Sequence, residues 1–173
     1  MKALMLLCSL ISVVPAAHLN GKVVGVKSGA SLEILSEGKV IGIKVAGIDC
    51  PAKNFTAGKA ARHYVADKAF MNDVDVEITG TESDGNLIGK VTLPGGMNLG
   101  AELVKDGLAW WDKQNSPEEK GLAMMEKQAR DAFLGIWAGV TGGDDDEDFG
   151  KEVLAKRDAP TQDGTAMLSQ AGN

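Results

Sequence analysis

The strongest constraint on this chain is where one helix-period segment falls among strands. Five short segments place apolar residues at every second position, and a stretch of different period separates the third from the fourth. Residues 21–27 are β-rich and end at the turn signal Ser28-Gly29. Residues 31–35 alternate around Leu32 and Ile34, and Ser36-Glu37-Gly38 reads as a hairpin turn. Residues 40–48 carry Ile41, Ile43 and Val45 on one face of a third strand. Pro51 stops that strand, because proline has no amide proton for a ladder. Residues 57–71 are expected to be helical, with Ala57, Ala61, Tyr64, Val65 and Lys68 on neighbouring rows; the Lys68 stem can cover apolar surface. Val74, Val76 and Ile78 alternate again, Asp84-Gly85-Asn86 is a turn, and residues 87–93 form a fifth strand closed by Pro94-Gly95-Gly96.

Two further helices follow. Asn98 can cap the first, which bears Leu99, Leu103 and Val104 and ends at Gly107. Ser116-Pro117-Glu118-Glu119 reads as a capping box with proline at the first helical position, opening a helix to about residue 133. Leu122, Met125, Ala129, Ala132 and Phe133 are expected to form its buried face, with Met124-Met125 filling core and Trp137 packing back onto the barrel. The order strand-strand-strand-helix-strand-strand-helix-helix is that of a five-stranded OB-fold barrel, an α+β fold made mainly of β barrel. That fold hosts many functions and decides none of them.

At 173 residues and 44% apolar, the chain suits one domain with appendages. Residues 1–17 read as a secretory signal: Lys2, an apolar run over residues 3–14, and Pro15-Ala16-Ala17 for cleavage. The run is short for a membrane span, so an uncleaved anchor is the lesser reading. Leu7 before Cys8 is too large for a lipoprotein signal. Export to the cell envelope or beyond is the expected localisation. The mature chain keeps one cysteine, Cys50, which cannot close a disulfide within its own chain and is expected to be buried and inert. The domain, residues 18–139, has 16 acids against 14 bases, whereas the tail, residues 140–173, has 8 against 3. The tail run Asp144-Asp145-Asp146-Glu147-Asp148 reads as solvated and disordered, without the spaced ligands of a calcium loop. A formal net charge of −6 argues against a strong sequence-independent nucleic-acid binder, unless a local basic cleft survives it.

Five blocks in this order resemble the staphylococcal nuclease-like (thermonuclease) family, over about residues 21–137. They are Val26-Lys27-Ser28-Gly29-Ala30-Ser31-Leu32, similar to V-x-D-G-D-T-hydrophobic; 43–51 with Asp49-Cys50-Pro51, similar to V-R-L-x-G-I-D-x-P-E; Gly89-Lys90; Met97-Asn98-Leu99 with Gly107-Leu108-Ala109-Trp110; and Glu126, Ala129, Arg130 with Leu134-Gly135-Ile136-Trp137. The resemblance implies calcium-assisted phosphodiester hydrolysis. Such chemistry wants bidentate guanidiniums for the phosphate, hard oxygens for the cation and a carboxylate to deprotonate water.

The chain departs from the family at most of those places. Ser28 and Ala30 stand at the hairpin carboxylates, Lys44 and Lys90 at the two arginines, and Ala52 at the catalytic glutamate. Asp49 alone keeps a family metal-ligand position. Lysine keeps the charge but loses the planar fork. Glu33, Glu82 and Asp84 are candidate substitute acids, although solvated strand or turn positions explain them more simply. Lys44 and Lys90 could pair with Asp49. His63 lacks a second ligand at metal spacing and reads as a surface residue. Trp110-Trp111 could stack on bases, but packing of the helix exit is the stronger reading.

The expected function is a binding or scaffold module with a degenerate site around Lys44, Asp49 and Lys90, and little or no phosphodiesterase activity. The partner would be nucleic acid or another anion, held weakly. No cofactor is expected of such a module. The alternative is a calcium-dependent nuclease of DNA or RNA using Asp49, Glu33, Lys44 and Lys90. A structural cell-envelope protein is a third class.

Overall fold

A computed structural model describes residues 17–138. The expected signal segment up to residue 16 and the acidic tail, expected to be disordered, lie outside the described residues. Strands β1 (His18–Ser28), β2 (Ser31–Ser36), β3 (Lys39–Val45), β5 (Asp73–Thr81) and β6 (Leu87–Thr92) close into one barrel in the order β1-β2-β3-β6-β5. Every pairing is antiparallel except β3 with β6. Helix α1 (Thr56–Ala69) separates β3 from β5, and α2 (Leu99–Lys105) and α3 (Lys120–Asp131) follow β6. The expected α+β barrel and its element order are therefore observed. Among the described residues no helix is long and apolar enough to cross a membrane.

The period-two segments fill the barrel as their pattern requires. Val23, Leu32, Ile34, Ile43, Val45, Val76 and Val91 are all essentially inaccessible. From the helices, Val65, Ala69, Leu99, Leu103 and Val104 complete this core. Asn98 caps α2 as expected, its side chain accepting from the Ala101 amide at 2.9 Å.

Four expectations are corrected. The third strand does not run to residue 48: it ends at Val45, turns through Gly47 at φ +76°, and resumes as a short strand β4 (Ile48–Asp49). β4 pairs with β7 (Trp110–Trp111), outside the barrel. Glycine is needed at 47 because the left-handed backbone is costly for other residues, and a side chain there would press on Leu122.

The capping box does not form. α3 begins at Lys120 without a side-chain cap. Ser116 instead lies in a turn held by Asp112, and its carbonyl accepts from the Trp111 indole at 2.9 Å. Glu119 points to Lys90.

The buried face of α3 is Leu122, Glu126 and Ala129, with Met125 half-buried. Met124 is 63% exposed and Phe133 72%, and Ala132 is also exposed. The helix stops at Asp131, and Phe133 adopts a left-handed conformation that turns its ring to solvent. Ile136 fills the place beside Trp110 and Ala57 instead. Cys50 is half-buried against the core and not fully enclosed.

Glu126 is the one acidic side chain buried among the described residues, at 4% exposure. Its Oε1 accepts from the Trp111 amide at 3.2 Å, and its Oε2 accepts from Arg130 at 3.2 Å. Arg130 in turn lies over the Trp137 ring at 4.6 Å. Glu126 thus fastens β7 to α3. Glu126→Ala should destabilise the fold by about 2–3 kcal/mol in urea titrations, the scale of a lost charged hydrogen bond with a stranded amide. Glu126→Gln, which still accepts from Trp111, should cost clearly less.

Candidate functional site

The register of the barrel decides which side chains meet. Lys44 on β3 lies opposite Ser31 on β2 and beside Ile88 on β6. Lys90 is two residues beyond Ile88 and so projects from the same face. Lys44 and Lys90 consequently line a single cleft of about 250 Å³, together with Thr79, Asp112, Ser116 and Glu119. This convergence joins residues 46 apart in the chain.

Neither ammonium pairs with Asp49. Lys44 donates to Glu82 at 2.9 Å, and Lys90 meets Glu119 at 2.6 Å. Both lysines have a pKa above the ordinary 10.5. For Lys44 the chief cause is the Glu82 hydrogen bond, opposed by partial burial and assisted by the charges of Glu82, Asp49 and Asp112. For Lys90 it is the Glu119 hydrogen bond, opposed by burial and assisted by Glu119, Glu77 and Glu118. Exposed pairs of this kind add little stability, on the order of 0–1 kcal/mol. Their consequence is electrostatic: the two cations stand among at least as many carboxylates.

Asp49 sits on β4, paired with Trp110, and its Oδ1 accepts from the Cys50 amide at 3.0 Å. Ala30 is buried, and its carbonyl accepts from the Val45 amide at 2.9 Å. Ser28 uses its hydroxyl to accept from the Ala30 amide at 3.3 Å, closing the hairpin turn. Ala52 is exposed in the loop before α1, its carbonyl accepting from Phe55. A calcium ion needs several hard oxygens at once. Among the described residues no three Asp, Glu, His or Cys side chains gather closely enough to hold a metal. Side-chain carboxylates alone therefore do not supply a full calcium donor set around Asp49.

The candidate substitute acids are engaged elsewhere. Glu33 does share a face with Ser31, but it pairs with Lys27 at 2.9 Å. Asp84 accepts from the Asn86 amide and side chain and builds its own turn. Glu82 alone of the three reaches the cleft, as the partner of Lys44. Trp110 and Trp111 are 3% and 9% exposed, so neither offers a ring face to a base; both pack the exit of α2. His63 is exposed on α1, as expected of a surface residue.

Asp112, Glu118 and Glu119, which also line the cleft, carried no site signal in the sequence. The Ser-Pro-Glu-Glu pattern pointed to a helix cap, and only the start of α3 at Lys120 leaves Glu119 available to Lys90.

Residues 42–139 match the family model described as "Staphylococcal nuclease homologue". The chain is 32% identical over 139 residues to a "Micrococcal nuclease" of Shigella flexneri, covering 75% of this chain and 80% of that protein. It is 28% identical over 124 residues to an "Uncharacterized endonuclease" of Escherichia coli O157:H7, covering 70% and 79%. It is 26% identical over 148 residues to "Protein ParB" of Escherichia coli, covering 80% and 84%.

The raised lysine values fix the sign of one pH effect. A lysine whose pKa is higher in the folded state contributes stability that is complete below the unfolded value of 10.5. That contribution is lost as the pH rises through the folded value. Urea midpoints should therefore fall with pH above 10.5, and Glu82→Gln with Glu119→Gln should make that fall shallower. NMR titration of the lysine side chains should return Lys44 and Lys90 towards 10.5 in the same variant.

Proposed function

Because the chain belongs to the staphylococcal nuclease homologue family, we propose that it is an exported binding module built on a nuclease barrel, with little or no phosphodiesterase activity. One observation carries this reading. The two cationic positions do converge on one cleft, yet each ammonium ends on a glutamate, Glu82 or Glu119. The positions that the family resemblance assigns to a metal carboxylate and to the base hold the methyl groups of Ala30 and Ala52.

The chemistry follows from those side chains. A methyl group at 52 can neither take a proton from water nor orient it. A lysine already bonded to a carboxylate must give up that bond before it can meet a phosphate oxygen, and it cannot clamp two oxygens in a plane. Asp49 keeps one carboxylate at the family's ligand position, and its Oδ1 accepts from the Cys50 amide.

The competing reading is a calcium-dependent nuclease with an altered site, favoured by the nuclease names of the relatives and by the retained Asp49. It asks Glu33 to act beside Asp49, and Glu33 is occupied by Lys27.

A fluorescent DNA-digestion assay with and without calcium separates the two. Loss of a general base commonly lowers a rate by about 10² to 10⁴. The purified chain should fall short of an active family nuclease by at least the lower figure, and Asp49→Ala should change nothing. Calcium-dependent cleavage that vanishes in Asp49→Ala would overturn the proposal.

A further inference from the structure

A second cavity, of about 520 Å³, lies between the end of β1 and α1, and shares no lining residue with the Lys44–Lys90 cleft. Its walls are Val26, Lys27, Lys53, Lys59, Arg62 and His63. No acid lines it. Lys59, Arg62 and His63 are spaced three and four apart, so they share one face of α1. Arg62 is held in place by its Nε, which donates to the Val26 carbonyl at 2.9 Å. Lys27 is neutralised in part by Glu33. Among the described residues Lys53, Lys59 and Arg62 have no carboxylate within ion-pair distance.

The contrast with the family cleft is one of sign. There, Lys44 and Lys90 share their walls with Asp112, Glu118 and Glu119. Here, a chain of net charge −6 gathers Lys53, Lys59 and Arg62 with no carboxylate among the lining residues described. A concave patch of one sign concentrates counter-charge and attracts a polyanion. Unpaired lysines and a guanidinium fork suit phosphate oxygens. No aromatic side chain lines the cavity, so stacking on bases would not contribute and the contacts would go to the backbone. A membrane surface is less well matched: an interfacial site needs exposed apolar anchors, and Val26 is the one apolar wall residue.

We infer that this basic cavity, and not the Lys44–Lys90 cleft, holds the phosphate backbone of a single-stranded nucleic acid. The inference deepens the binding-module reading and rests on it. Binding here is sequence-independent and driven by counterion release, so it weakens steeply with salt.

The test is fluorescence anisotropy of the full chain with labelled oligothymidylate, in EDTA so that no hydrolysis intervenes. Lys53→Ala with Lys59→Ala should weaken binding about tenfold at low salt and make the log–log salt dependence shallower by about 0.7 per cation removed. Both lysines are exposed, so the fold is retained. Lys44→Ala with Lys90→Ala should change affinity by less than about twofold, since those ammoniums are already paired. Three results would each overturn the inference: no binding at low salt; loss of binding in the Lys44/Lys90 variant with retention in the Lys53/Lys59 variant; or binding to phosphatidylserine vesicles with none to the oligonucleotide. None of these depends on whether calcium-dependent cleavage occurs, which is the separate test of the binding-module reading.

Discussion

β1 hydrogen-bonds to β5 through its first residues and to β2 through the rest, with Lys22 opposite both Asp73 and Leu35. The irregularity between Val23 and Gly25 lets one strand turn from the first partner to the second. This double pairing joins the β1-β2-β3 meander to β5 and β6. With β3 laid parallel to β6, the barrel closes and leaves none of its strands as a free edge. The parallel seam sets the register of Lys44 against Ile88, and with it the position of Lys90. A slip of one residue along that seam would send one of the two lysines to the opposite face.

Closure also forces the chain out of the barrel after Val45. Gly47 makes the turn, β4 pairs with β7, and Glu126 anchors β7 from below through the Trp111 amide. The loop between β7 and α3 is then pinned over the mouth of the cleft by the Asp112 and Ser116 turns. That loop carries Asp112, Glu118 and Glu119 to the cleft wall. The same packing that stabilises the helical end of the molecule therefore supplies the carboxylates that neutralise the cleft.

An overall acidic chain can still be locally basic, because charge acts over about 8–10 Å in physiological salt and not over the whole molecule. In this domain the cations are divided between two places. Lys44 and Lys90 are tied to glutamates, whereas among the described residues Lys53, Lys59 and Arg62 line a cavity whose walls hold no acid. The difference lies in what stands opposite each ammonium.

The alternation of Leu32 with Ile34, of Ile41, Ile43 and Val45, and of Val74 with Val76 was enough to place the strands, because a half-buried strand imposes a period of two on its own residues. The blocks around Asp49-Cys50-Pro51 and Gly89-Lys90 were enough to pick out Lys44 and Lys90 as cleft positions. Local pattern misled where two elements competed for one residue: the Ser116–Glu119 signal belonged to a helix start, but Lys90 claimed Glu119. It misled again at Phe133, where helical spacing implied burial and a left-handed backbone turned the ring outwards. The sequence by itself determined the barrel and the side chains without a carboxylate at Ser28, Ala30 and Ala52, since both are matters of residue type and period. Only the tertiary structure decided that Lys44 and Lys90 share one cleft, that Glu82 and Glu119 neutralise them, and that Lys27 of β1 meets Lys53, Lys59 and Arg62 at one cavity. Those are relations between residues far apart in the chain, and strand register and helix packing set them rather than any local preference.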